Sequence, residues 1–169
     1  MTTHLKDRGM RVRIEKAVPA DAEAILRLQR LAYEGEAEVY HGVLFAPLAE
    51  TVDDVRAKFA DHLVLKASCG GTPQIVGSVR LFLQGDTCHV GRLIVEPALQ
   101  NRGIGTQLMR AAEGQLPQAN RFELFTGQHN HRNIRFYEKL GYRIYKTVPR
   151  NERLHWVYME KHRGEPAGP

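Results

Sequence analysis

Residues 95–116 read VEPALQNRGIGTQLMRAAEGQL. An apolar strand end meets Pro97, and two glycines one residue apart, Gly103 and Gly105, then precede a helical pattern from about Ile104 to Gln115. A strand delivered into QNRGIG directly ahead of a helix aims several backbone N–H groups at one spot beside the positive end of the helix dipole. Such a turn suits a phosphate. The two glycines permit close backbone approach and torsions that side chains disfavour, while Gln100 and Arg102 offer further donors. Other phosphate loops fail in detail. A Walker loop needs Gly-Lys-Ser/Thr where Gly105, Thr106 and Gln107 stand, and a dinucleotide fingerprint needs a third glycine where Leu108 stands.

Upstream of the turn, DHLVLKAS and QIVGSVRLFLQ read as strands joined by CGGTP, and Gly85-Asp86 turns the chain into TCHVGRLIV, completing an antiparallel meander. Earlier still, RVRIEKAV alternates like a strand and stops at Pro19, after which Ile25, Leu28, Leu31 and Ala32 recur at helical spacing. TVDDVRAKF announces a second helix, with Thr51 as cap and Asp54 three residues on. Downstream come the strand RFELFTG, the helix NIRFYEKL closed by Gly141, and the strands YRIYKTV and LHWVYMEK. The order βααβββαβαββ describes an α+β chain in three layers, with helices about a mixed, mostly antiparallel sheet of some seven strands. We expect one domain over residues 1–162 and a small, polar, disordered tail over 163–169.

The chain of 169 residues is 43% hydrophobic, 25% charged and carries a net charge of +5. It has no apolar run long enough to span a bilayer, and MTTHLKDRGMRVR lacks the apolar stretch of a signal peptide, so we expect a cytoplasmic protein with no membrane partner. Cys69 and Cys88 lack zinc spacing and read as reduced thiols. His129 and His131 flank Asn130 without a nearby cysteine, and no metal is expected. Much of the positive charge falls in the second half, but the arginines are spread over several elements and no nucleic-acid-reading motif accompanies them. We therefore expect an anionic ligand and not nucleic acid.

LIVEPALQNRGIGTQLM resembles motif A of the GNAT superfamily of acyl-CoA N-acyltransferases, in which Gln/Arg-x-x-Gly-x-Gly/Ala follows the central strand; Gln100, Gly103 and Gly105 match. NHRNIRFYEKLGY is similar to the family's second signature, an Asn-led helix with a tyrosine and a terminal Gly-aromatic, at Asn130, Tyr137, Gly141 and Tyr142. The resemblance covers nearly the whole chain and implies a GNAT-like fold with a splayed central parallel pair. It also implies acetyl-CoA as cosubstrate. Pantetheine would pair with backbone near Leu93, Ile94 and Val95, and the pyrophosphate would sit on the turn formed by Gln100, Asn101, Arg102, Gly103, Ile104, Gly105 and Thr106. Asn130 or Asn133 would reach the cofactor from the next helix.

The implied reaction is direct attack of a primary amine on the thioester. An amine of lysine type has a pKa near 10.4, so deprotonation at pH 7 costs about 3.4 units, or roughly 4.6 kcal/mol. Something must accept that proton. Glu96, at the end of the central strand, is the first candidate general base, with Glu34 and His89 in reserve. The departing thiolate needs a proton or a hydrogen bond, and Tyr137 matches the tyrosine that the family often uses there. Since a phenol near pKa 10 is a weaker acid than a thiol near 8.5, full transfer is uphill by about 2 kcal/mol, and a tightening hydrogen bond is the better description. For the acceptor, YEGEAEVYH (33–41) stands out. If the first helix continues, Glu34 and Glu38 lie one turn apart, a like-charge pair that an incoming cation relieves, with Tyr33 or Tyr40 as a wall. We expect a small cationic amine acceptor. Protein amines, a non-catalytic acyl-CoA-binding module and a homodimer are the open alternatives.

Overall fold

The computed structural model describes residues 10–36 and 46–165. Among these residues seven strands form a single sheet: β1 (Val12–Lys16), β2 (Leu63–Cys69), β3 (Ile75–Gln84), β4 (Thr87–Val95), β5 (Arg121–Gly127), β6 (Arg143–Pro149) and β7 (His155–His162). Their spatial order is β1-β2-β3-β4-β5-β7-β6, so the last strand inserts between β5 and β6. All neighbours run antiparallel except β4 and β5.

Among the described residues five α-helices accompany the sheet: α1 (Ala22–Glu34), α2 (Ala46–Ala49), α3 (Val52–Lys58), α4 (Ile104–Gln115) and α5 (His131–Lys139). The single turn α2 is an addition to the expected order. Thr51 caps α3 as its sequence predicts, accepting from the Asp54 N–H at 3.2 Å while its own N–H donates to the Asp54 carboxylate at 2.8 Å. Adjacent residues of β2 face opposite layers: Val64 packs with Ala22, Ile25, Leu26 and Val55, and Leu65 joins the larger core with Leu108, Met109 and Phe122. Leu31, placed on the apolar face of α1 by its spacing, is instead 48% exposed. The buried face of α1 instead continues from Ile25 and Leu26 to Gln29, which is buried and hydrogen-bonded.

The parallel pair decides the function of the sheet. β4 and β5 pair only at Thr87–His89 with Arg121–Glu123. Beyond that point β4 continues along β3 and β5 continues along β7, so their facing edges diverge with ladder groups unpaired. A bulge in β4 accompanies the parting: Ser78 opposes Ile94 and Arg80 opposes Gly91, which leaves one residue of β3 facing two of β4. Arg92, within that bulge, has φ 51°. At the other end of the chain, Arg163, which its sequence places in the tail, donates to the carbonyls of Ala119 at 2.8 Å and Leu116 at 2.8 Å. Among the described residues no helix is long and apolar enough to cross a membrane.

Candidate active site

The parted strands open into a cleft of about 990 Å³. Leu93, Ile94 and Val95 of β4 form one wall, Leu124, Phe125 and Thr126 of β5 the other, and the glycine turn closes one end. A one-turn 3₁₀ helix, Pro97–Leu99, leads into that turn. Asn101 at φ 61° and Gly103 at φ 83° then reverse the backbone twice, and Gly103 is the N-cap of α4. The first intrahelical bond runs from the Gln107 N–H to the Gly103 carbonyl at 3.0 Å. The N–H groups of Ile104, Gly105 and Thr106 therefore have no helical partner, and all three residues line the cleft. Unpartnered N–H groups at a helix N-terminus are a geometry that suits an anion.

The two glycines do different work. Gly103 needs its left-handed torsion, and a Cβ there would meet nothing within 4 Å. Gly105 has no positive φ; a Cβ there would press the Phe136 ring at 3.3 Å, so its smallness lets α5 approach α4. The side-chain donors are also rearranged. Gln100 Nε2 donates to the Val95 carbonyl at 3.3 Å, fastening the turn to the strand. Arg102 is exposed and lies outside the cleft lining, whereas Arg132 of α5 lines it and reaches the Asn101 Oδ1 at 3.4 Å.

Asn130, Asn133 and Tyr137 all line the cleft from the α5 side. Asn130 is the N-cap of α5, its Oδ1 accepting from the Asn133 N–H at 3.1 Å. Asn133 Nδ2 extends toward β5, 3.4 Å from Thr126 Oγ1. Tyr137 is 8% exposed and packs edge-on against Phe136 and Tyr142, with ring centroids 5.1 and 5.9 Å away. It is both a core aromatic and a cleft residue. Burial pushes the Tyr142 phenol well above the usual range, helped by the Glu113 carboxylate to which it donates at 3.1 Å. Tyr142 therefore serves packing. Burial also pushes the Cys88 thiol up to about 12, and neither cysteine lines the cleft, so no thiol is placed as a nucleophile among the described lining residues.

A polar cluster missed in the sequence braces the bulge. Glu50, between α2 and α3, accepts from Arg80 at 3.1–3.3 Å, from Arg92 at 3.4 Å and from Gln29 at 2.6 Å. Burial pushes its carboxyl up, but the hydrogen bonds from Arg80 and Gln29 and the two guanidinium charges outweigh that and bring it to about 2. Gln29 also donates to the Pro47 carbonyl at 2.7 Å, tying α1 and α2 into the same cluster. The strained torsion of Arg92 is thus over-determined by its partners.

The expected carboxylates fare differently. The Glu96 N–H continues the β3 pairing at Val76, 2.8 Å away, and its side chain is not part of the cleft lining. His89 lies where β4 and β5 are still paired, 3.4 Å from Glu123, and is likewise outside the cleft. Glu34 is exposed and does not line the cleft. The reason is that α1 ends there: Gly35 is its C-cap and the Glu36 N–H closes a tight turn on the Tyr33 carbonyl at 3.0 Å. The helical spacing assumed for Glu34 and Glu38 is therefore not realised at its first member, and Glu38 and Tyr40 lie outside the described residues. Tyr33 does line the cleft, as does Glu36, the one carboxylate among the described lining residues. Burial raises the Glu36 carboxyl above its ordinary value, partly opposed by the charge of Arg132.

A profile of the acetyltransferase (GNAT) family matches residues 22–142, well over half of the chain. Among curated proteins, the uncharacterized YxbD of Bacillus subtilis is 33% identical over 73 residues, covering 42% of this chain and 45% of YxbD. YdhI of the same organism is 29% identical over 91 residues, 53% of this chain and 56% of YdhI, so the chain spans about half the length of these relatives. Among solved structures, the PaiA N-acetyltransferase of Thermoplasma acidophilum in complex with coenzyme A superposes with a TM-score of 0.77 at 19% identity, over 90% of this chain and 99% of that one. Salmonella typhimurium yncA with acetyl-CoA gives a TM-score of 0.69 at 19% identity, over 94% and 98%. These structures share the seven-stranded α+β fold and its parted central pair is where the matched motifs converge. The family match over residues 22–142, on this fold, places the chain in the GNAT acetyltransferase family.

Proposed function

We propose that the protein transfers an acetyl group from acetyl-CoA to the primary amine of a small molecule. The observation that carries this reading is the wedge between β4 and β5: two strand edges with unpaired backbone groups lead directly to the free N–H groups of Ile104, Gly105 and Thr106. An extended amide-bearing arm fits the edges, and a pyrophosphate fits the turn.

In the proposed reaction the amine nitrogen attacks the thioester carbon, the C–N bond forms, and the C–S bond breaks. Backbone N–H groups on the exposed β4 edge stabilise the oxyanion. Tyr137 donates a hydrogen bond to the leaving thiolate. Asn133, directed at β5, offers the cofactor a donor, and Asn130 holds the start of α5. With Glu96, Glu34 and His89 outside the cleft, we assign the amine proton to Glu36, directly or through water. Its raised pKa moves it toward the range of an effective base.

Thermal shift tests the cofactor half of this reading. Acetyl-CoA should raise the Tm, by about 2.7 kcal/mol of added stability at a hundredfold excess over Kd. Gly103→Asp should abolish the shift, because a carboxylate fits the open space there, tolerates the left-handed torsion and repels the anion. An undiminished shift in the folded variant would remove the phosphate from this turn.

A further inference from the structure

The cleft also exposes aromatic side chains of β5 and β7. Along β5, Phe122, Leu124 and Thr126 are buried, and Phe125 points to the opposite face, where it is 51% exposed. That ring stands two residues past the last β4–β5 pair, at the edge of the opening. Trp156 of β7 meets it edge-on with centroids 5.2 Å apart, and Tyr158 of the same strand, the register partner of Phe125, lies 5.4 Å away. Phe125 and Trp156 both line the cleft. Together they make a rigid aromatic shelf whose outer surface is open to an apolar ligand.

Beside the shelf is Arg150, in the hairpin between β6 and β7, its backbone N–H fixed to the Leu154 carbonyl at 2.8 Å. Among the described residues its guanidinium has no ion-pair or hydrogen-bond partner. The contrast with Arg80 and Arg92, both committed to Glu50, and with Arg121, committed to Glu123 and Glu160, is plain. A diamine entering here would meet an uncompensated positive charge, and no carboxylate of the described lining residues other than Glu36 to attract its second cation.

We infer that the acceptor amine carries a flat apolar group, which stacks on Phe125 and Trp156, and an anionic group, which pairs with Arg150; an aromatic α-amino acid has this chemistry. The inference rests on the acetyltransferase reading above and reverses the sign of the acceptor charge expected from Glu34 and Glu38.

The test is thiol release at saturating acetyl-CoA with four probes: phenylalanine, phenethylamine, alanine and 1,4-diaminobutane. Phenylalanine should exceed each of the others in kcat/KM by about tenfold or more, since phenethylamine lacks the anionic group, alanine the ring, and 1,4-diaminobutane both. Arg150→Gln, at an exposed position that should not disturb folding, should raise KM for phenylalanine by about tenfold and leave KM for phenethylamine and acetyl-CoA unchanged. A best rate with the diamine, or an equal effect of Arg150→Gln on both aromatic amines, would overturn the assignment. Absence of thiol release with all four probes, in protein that acetyl-CoA stabilises, would overturn the transferase reading and this inference with it.

Discussion

Replacing Glu50 with glutamine removes a charge while keeping the size of the side chain, and the structure gives two routes to the cost. The carboxyl falls from 4.5 to about 2 in the folded protein, which at 1.36 kcal/mol per unit corresponds to roughly 3 kcal/mol at neutral pH. Its side chain is 13% exposed, so residual screening lowers that to about 2–3 kcal/mol. By the second route, removing one partner of a buried ion pair costs about 3–5 kcal/mol, reduced here because Arg92 is 26% exposed although Arg80 is only 10% exposed. The two routes meet at a loss of about 2–4 kcal/mol. Because the folded pKa is depressed, the contribution is complete above about pH 4.5 and disappears as pH falls toward 2. Urea denaturation of both proteins from pH 7 to pH 3, followed by circular dichroism, should show a gap that is largest at neutral pH and narrows below 4.5. A gap under about 0.5 kcal/mol, or one that does not change with pH, would refute the claim that Glu50 braces the bulge.

Tyr137→Phe should retain acetyl-CoA affinity and lower kcat by roughly ten- to a thousandfold, because the lost hydrogen bond strengthens only as the thiolate leaves. Full kcat would leave Tyr137 a packing residue alone. Glu36→Gln should remove the acidic limb of the kcat/KM profile: the wild-type limb rises with pH through the raised Glu36 pKa as the carboxylate becomes able to accept a proton. A limb that persists unchanged in the variant would assign deprotonation elsewhere.

Much of the fold was legible in the sequence because its signals are local. The Thr51 cap, the meander and the turn ahead of α4 each depend on residues a few positions apart. The glycine turn was legible as a turn that opens α4, though spacing alone could not separate the torsional role of Gly103 from the packing role of Gly105 against Phe136, about thirty residues on. Glu50 carried no local signal: its partners Gln29, Arg80 and Arg92 are 21, 30 and 42 residues away. At the acceptor end, Glu34 departs from its expected place for a local reason. Gly35 sits in YEGEAEVYH where a helix can stop, and once it stops the side chain that lines the cleft is Glu36 and not Glu34. Glu96 illustrates the limit of reading a strand end. Val95 ends β4 and lines the cleft, whereas Glu96 is already the N-cap of the Pro97–Leu99 turn, its N–H held by the Val76 carbonyl and its side chain outside the lining.

The measurement that bears most directly on the account is a product analysis: protein, acetyl-CoA and phenylalanine incubated together, with acetylated amine followed by mass spectrometry and free thiol followed by absorbance. The account predicts that N-acetylated amine and thiol appear in equal amounts at a rate proportional to protein, and that Tyr137→Phe slows both together. Thiol released without acetylated amine, or tight acetyl-CoA binding with neither product from any primary amine offered, would contradict it.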